Sequence, residues 1–263
     1  MDMSAGDDLI RQFRTGDKMT NLLPQMPEIW QQTLNWQPTQ VQQVQFQRLY
    51  ELILEGNRLL NLTRITEPQE FWEKHLWDSL RGIALQGKFI SSLEPGASVI
   101  DIGTGAGFPG IPVAIALPNC TMRLMDATRK KIAFIDQIVT KLALSNSQTL
   151  VGRAEEVGQQ RPHRQSYDIA LIRAVGTASA CAEYALPLLK SNGLAIIYRG
   201  NWTQEETTTL QSAARQLGGV IESIDEFTTP LSQSIRHCLY LRKVVNTPAD
   251  FPRAVGVPAH NPL

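Results

Sequence analysis

The stretch Val99-Ile-Asp-Ile-Gly-Thr-Gly-Ala-Gly-Phe-Pro-Gly110 sets the frame for the whole chain. Its apolar first half ends at Ile102 and has the make-up of a buried strand. Gly103, Gly105 and Gly107 then break the run, and Pro109 suits the start of a helix. Glycine lets the backbone take positive φ and approach a ligand with no Cβ in the way. The helix behind it offers unpaired N–H groups. Strand, glycine turn and helix in that order make a nucleotide loop.

Two ligand classes compete for such a loop. Dinucleotide-binding enzymes want G-x-G-x-x-G/A starting directly after the strand. Counted from Gly103, the third glycine position is Phe108 and the match fails; counted from Gly105 it passes at Gly110, so the glycines alone leave NAD open. The G-x-G-x-G arrangement and Asp101 favour S-adenosylmethionine, because a carboxylate suits the methionine ammonium and repels a pyrophosphate. Asp126 ends the next apolar run, where an acid accepts from ribose hydroxyls in both ligand classes or caps the following helix. Gly152-Arg-Ala154-Glu155 follows a third strand, the usual place for adenine contacts, although Glu155 alone also reads as an exposed acid.

Outward from the loop, strands are expected at 98–102, 122–125, 149–151, 168–172, 194–198, 220–224 and 238–241. Helices are expected at 131–142, 178–189 and 205–217. This alternation predicts an α/β fold, a mostly parallel Rossmann-like sheet over 95–245 with helices on both faces. Residues 37–94 read as a helical N-terminal part. One helix begins near Pro38 and runs toward Leu59; a second begins at Thr66 with a Thr66-x-x-Gln69 capping box and continues through His75 and Leu80. Residues 1–36 read as a loosely ordered extension with one short helix around Trp30. Residues 246–263, with Pro248, Pro252, Pro258 and Pro262, read as an extended tail.

The 263 residues carry no formal net charge and are 43% hydrophobic, as a protein with a real core should be. Local balances differ from the mean. Between residues 121 and 175 nine bases face five acids, and from Arg236 onward Arg236, Arg242, Lys243 and Arg253 face only Asp250, so an anionic partner can be met locally. Cys120, Cys181 and Cys238 are odd in number and widely spaced, which predicts neither a disulfide framework nor a metal site. With no apolar leader and no run long enough to span a bilayer, a cytoplasmic protein without membrane contact is expected.

The absences also bear on chemistry. Methylation of a nucleobase carbon usually uses a Pro-Cys pair, but the three cysteines follow Asn, Ala and His. Exocyclic amino methylation usually uses Asn/Asp-Pro-Pro-aromatic, and the corresponding stretch is Leu171-Ile-Arg-Ala-Val-Gly. A ring nitrogen such as guanine N7 has a lone pair and no proton to lose, so placement and desolvation suffice without a general base.

Five segments then occur in the order of one family: Asn61-Leu-Thr63, Lys74-His-Leu-Trp-Asp78, Asp101 to Gly110, Tyr167-Asp168 to Arg173-Ala-Val, and Arg236-His237 with the tail through Phe251-Pro-Arg253. From about Pro38 to the C-terminus the chain resembles the ribosomal RNA small-subunit methyltransferase G family, also called glucose-inhibited division protein B. The resemblance implies S-adenosylmethionine-dependent N7 methylation of one guanosine in 16S ribosomal RNA, on naked RNA or a small-subunit particle, by a monomer. It places cofactor contacts on Gly103, Gly105, Phe108, Asp126, Ala127, Thr128, Ala154, Glu155 and Arg173. His75, Arg129, Lys130, Lys131, Arg199, Arg236 and His237 are RNA candidates, and His75 is also a candidate to interact with Asp78 on one helical face. Two positions depart from the family's pattern: Ala127 where Ser is usual, and Tyr198-Arg199-Gly200 where Leu-Lys-Gly is usual. A small-metabolite methyltransferase, an NAD-dependent oxidoreductase and a non-catalytic RNA-binding protein are the competing readings.

Overall fold

The computed structural model describes residues 22–85, 88–89 and 96–263. The first 21 residues of the expected loose extension lie outside them. Seven strands form one sheet: β1 Ser98–Ile102, β2 Thr121–Asp126, β3 Ser147–Val151, β4 Tyr167–Arg173, β5 Leu189–Arg199, β6 Gly219–Thr228 and β7 Ile235–Lys243. Their spatial order is β3-β2-β1-β4-β5-β7-β6. The first five are parallel, and β7 enters antiparallel between β5 and β6. The sheet is the mostly parallel α/β sheet expected. Its strand order reverses at β1, so the crevice beyond the C-terminal ends of β1 and β4 is where such sheets bind ligands.

Side chains alternate between two cores, as a period of two requires. Val99, Leu171, Ile196, Tyr198 and Tyr240 join one apolar cluster. Ile100, Ile102, Ala170, Ile172, Ile197 and Leu239 join the other. The second face is covered by α8 (Ala178–Ala185) and α9 (Gln204–Gln216). Pro187 stops α8 early: a single 3-10 turn, Leu186–Leu188, follows, and Leu189 already belongs to β5 rather than to the helix expected through 189.

The first face carries α5 (Gly110–Ala116), which is buried along its whole length, and beyond it the N-terminal helices. The short helix expected around Trp30 is α1 (Pro27–Leu34), in a stretch otherwise expected to be loose; Trp30 and Leu34 give it a face to bury. Trp30 sits edge-on to Trp72 at 4.7 Å and is stacked on Phe46 at 6.5 Å. α2 (Gln40–Leu60) begins with a capping box made by Thr39 and Gln42, leaving Pro38 just outside the helix. No box forms at Thr66. Pro68 takes the first turn of α3 (Pro68–Phe71), Glu67 is its N-cap, and no side chain caps it.

The chain then widens into a π-helical segment, Trp72–Trp77, before α4 (Asp78–Arg81). Tyrosines hang this layer on the sheet: Tyr198 Oη donates to Ser79 O at 2.7 Å and Tyr240 Oη to Gly82 O at 3.0 Å. A Cβ on Gly82 would stand 2.3 Å from the Tyr198 ring, so the contact needs glycine. α6 (Arg129–Lys141) and α7 (Ala154–Val157) follow β2 and β3. The tail, expected to be extended, bends through turns closed by Phe251 N on Pro248 O and Val257 N on Ala254 O. It includes one helical turn, α10 (Val257–His260), which Pro258 tolerates because it lies in the first turn.

Among the described residues, no helix is long and apolar enough to cross a membrane. Truncating Trp30 to Ala should cost about 3–5 kcal/mol, since it empties the aromatic contact that docks α1. Guanidinium unfolding of the variant is the check; a loss under about 1 kcal/mol would mean that α1 adds little to the fold.

Candidate cofactor and acceptor site

The glycine loop is built around one carboxylate. Asp101, fully buried at the end of β1, accepts through Oδ2 from Thr104 Oγ1 at 2.6 Å and from Gly110 N at 2.8 Å. Its other oxygen has no partner. Burial pushes its pKa up to about 6 against the pull of these two donors. The expected place of Asp101 beside a methionine ammonium is therefore corrected: the side chain faces inward and closes the loop. Gly103, Gly105 and Gly107 all have positive φ. At Gly103 a Cβ would meet Val175 at 2.7 Å and at Gly107 Ile111 at 2.4 Å, but at Gly105 it would meet only the Gly103 carbonyl oxygen, at 3.8 Å. Open space thus stands over the middle of the loop, beside the N-terminal end of α5. That opening suits a nucleoside.

Asp126 forms one wall of this opening. It accepts from Gly105 N at 3.1 Å and Thr128 N at 2.8 Å, with Lys131 Nζ 3.9 Å away. One acid therefore ties the loop to the start of α6, and Ala127 and Thr128 are exposed in the turn it anchors. Gly152 N donates to the Asp126 carbonyl, bringing the β3 end alongside. There Ala154 and Glu155 are buried in the first turn of α7, and Glu155 Oε1 accepts from Gly256 N of the tail at 3.0 Å. That long-range bond has no signal in the sequence.

On the other side of the loop, Phe108 packs flat against His75, ring centroids 4.2 Å apart and 6° from parallel. The Arg173 guanidinium, at the end of β4, lies 5.9 Å from the Phe108 ring and donates to Asp78 Oδ2 at 2.8 Å and Lys74 O at 3.1 Å. His75 does not pair with Asp78 as the helical spacing suggested. The π turn is wider than 3.6 residues, so neighbours three apart no longer align. His75 Nε2 instead bonds Thr63 Oγ1 at 2.9 Å, and its buried Nδ1 has no partner. Another residue of the same turn, buried Glu73, accepts from Leu231 N and Ser232 N of the β6–β7 turn.

The RNA candidates divide. Arg129, Lys130 and Lys131 are exposed in the first turn of α6, next to Asp126. Arg199 is half-buried and donates to Gly176 O at 2.6 Å, which braces the loop after β4. Arg236 is half-buried, with a buried Nε that has no partner. His237 is turned inward, Nδ1 on Gly200 O at 2.6 Å and Nε2 3.2 Å from Glu226, so the ring braces the β5 exit.

Burial holds His75 down to about 3, with the charges of Arg173 and then Lys74 adding to the effect. An unfolded chain takes up this proton near 6.5 and the folded one only near 3, so the unfolded state binds more protons in between. The contribution is complete above about pH 6.5 and is lost as pH falls, at about 1.4 kcal/mol per unit. In His75→Phe, which keeps a flat ring on Phe108, the acid limb of urea-unfolding free energy between about pH 6.5 and 4 should flatten. An unchanged slope would place the acid sensitivity elsewhere.

Comparison with known proteins gives the family. A family model described as GidB, rRNA small subunit methyltransferase G, matches residues 42–238. Relatives called ribosomal RNA small subunit methyltransferase G include one from Trichormus variabilis, 74% identical over 93% of this chain and 100% of that protein. Others come from Nostoc punctiforme, 71% identical over 93% and 100%, and Gloeobacter violaceus, 52% identical over 89% and 91%. Among solved structures, the citrinin polyketide synthase CMeT domain shares the fold at a TM-score of 0.51 and 12% identity, over 74% of this chain and 57% of that one. The family model over residues 42–238 and the 74% identity over 93% of the chain, on a sheet of this order with this glycine loop, make the protein an S-adenosylmethionine-dependent member of the ribosomal RNA small subunit methyltransferase G family.

Proposed function

We propose that the protein methylates N7 of one guanosine in 16S ribosomal RNA, acting as a monomer in the cytoplasm on naked RNA or a small-subunit particle. The observation that carries the choice of atom is that, among the described residues, the groups at the ends of β1 and β4 that could take a proton are engaged or buried: Asp101 accepts from Thr104 and Gly110 inside the loop, and Asp78 accepts from Arg173. His75 is buried and held near 3. All three cysteines are buried, Cys181 pushed up to about 11 and Cys120 and Cys238 also raised, each chiefly by desolvation. An acceptor that must lose a proton, or be attacked through a covalent adduct, finds no free helper among these groups. Guanine N7 needs none.

S-adenosylmethionine supplies the methyl group, carried on a sulfonium. Gly103 and Gly105 give the backbone approach, Asp126 accepts from the ribose hydroxyls, and Ala127 and Thr128 line the same turn. Ala154 and Glu155 flank the base. Phe108 and Arg173 shape the side toward the acceptor, where the Phe108–His75 stack excludes water and the Asp78–Arg173 pair fixes the guanidinium. Arg129, Lys130 and Lys131 meet RNA phosphates beside this opening.

Labelled methyl transfer to small-subunit particles, naked 16S RNA and small metabolites, followed by nuclease digestion and mass spectrometry, tests the reading. 7-Methylguanosine should appear in RNA and no label in metabolites; label on another atom would overturn it. Asp126→Ala should weaken S-adenosylmethionine binding by about 1–3 kcal/mol in calorimetry, the loss including the loop bond to Gly105. Replacing Arg129, Lys130 and Lys131 together should flatten the salt dependence of RNA binding; an unchanged slope would move the RNA to another surface. Changing any one cysteine to Ala should leave turnover within about tenfold, or roughly 1.4 kcal/mol of barrier. With RNA saturating, no titrating group should be required between about pH 6 and 9.

A further inference from the structure

Glu155 is held by the tail, and the tail is held by an ion pair on the far side of α7. Arg253 presents a fork to Glu183 of α8: Nε to Oε1 at 2.9 Å and Nη2 to Oε2 at 2.7 Å, with the Arg253 backbone N–H also on Oε1 at 2.8 Å. Glu183 is fully buried, so this pairing fixes where residue 253 lies. Arg164 adds four backbone acceptors, Gly158 O, Thr247 O, Pro248 O and Phe251 O, all at 2.7–3.0 Å. The tail lies directly on the turn after α7, where a Cβ on Gly158 would stand 2.8 Å from Pro252. Three residues beyond Arg253, Gly256 has φ 86, which glycine favours, and donates its N–H to Glu155 Oε1. Among the described residues, the donor that reaches Glu155 is Gly256 N, on Oε1, which leaves Oε2 for another partner.

A carboxylate only accepts, and the group on the edge of adenine that it can satisfy is the 6-amino N–H. A 6-oxo purine turns an acceptor toward the same oxygen. We infer that the C-terminal tail is the element that makes the cofactor site select a 6-amino purine: Arg253 and Gly256 are positioning residues that lock the Glu155 carboxylate in the orientation that reads the base. The inference rests on the reading that Glu155 faces the cofactor's base, and the experiment separates the two.

Affinities of S-adenosylhomocysteine and S-inosylhomocysteine should be measured by calorimetry for the wild type, Arg253→Lys, Arg253→Ala and Glu155→Gln, with thermal melts to confirm folding. The wild type should prefer the adenosyl ligand by about tenfold or more, the worth of one charge-assisted hydrogen bond. Both Arg253 variants should shrink that ratio to about threefold or less, mainly by weakening the adenosyl ligand. Lys keeps the charge without the fork, so it serves if the Ala variant does not fold. Equal weakening of both ligands would reduce the tail to scaffolding and overturn the inference. A Glu155→Gln variant with the wild-type ratio would remove Glu155 from the base, whatever the tail does. Collapse of the ratio in Glu155→Gln but not in the Arg253 variants would sink the tail's role alone.

Discussion

The Asp101 carboxylate takes a hydroxyl and a backbone N–H on one oxygen, in full burial, and this holds the glycine loop in its bent form. Removing a charge from water is expensive, and its raised pKa measures how incompletely two donors offset that cost. The return is geometric. Gly110 is drawn so close that a Cβ there would sit 2.6 Å from the carboxylate, fixing where α5 begins. Phe108 is then delivered to His75, and the turn that carries His75 also reaches the β6–β7 turn through Glu73. The glycine loop and the His75 segment are thus parts of one packed body.

Charge counts along the chain overstate what is free for RNA. Of the four bases after residue 235, Arg242 pairs with Glu222, Arg253 with Glu183, and Lys243 is buried with its ammonium donating to Leu186 O and Leu189 O. In the middle region, Arg164 and Arg173 are also spent on internal acceptors. Beside the site the Arg129-Lys130-Lys131 run is exposed, with Lys131 Nζ 3.9 Å from Asp126, and so is Arg153. A chain of zero net charge therefore carries its free positive charge in local patches rather than as a field.

How much was legible follows from how local each signal is. The strand, glycine turn and helix around Asp101 read correctly because their signals lie within a dozen residues. The role of Asp101 did not, because which way a carboxylate faces depends on packing. Thr39-x-x-Gln42 and Thr66-x-x-Gln69 are the same capping pattern, and only the first forms, since Pro68 shifts the second helix start by one residue. The His75–Asp78 pairing failed on a π turn that helical spacing does not anticipate. Arg253–Glu183 and Glu155–Gly256 join residues 70 and 101 positions apart, which a single sequence cannot pair.

The place of β7 bears on how the sheet assembles. β6 and β7 pair with each other through the short turn 229–234, a local contact with little loop-closure cost, whereas β5 reaches β7 only across α9 and β6. The hairpin can therefore form early and dock as a unit, completing a parallel half that closes slowly by crossovers. Its turn carries the two N–H groups that Glu73 accepts, so the unit arrives with its own attachment to the segment bearing His75. Until that docking, neither the Tyr240 tether nor the His237 brace exists, so the side of the loop that carries His75 depends on the hairpin for its shape.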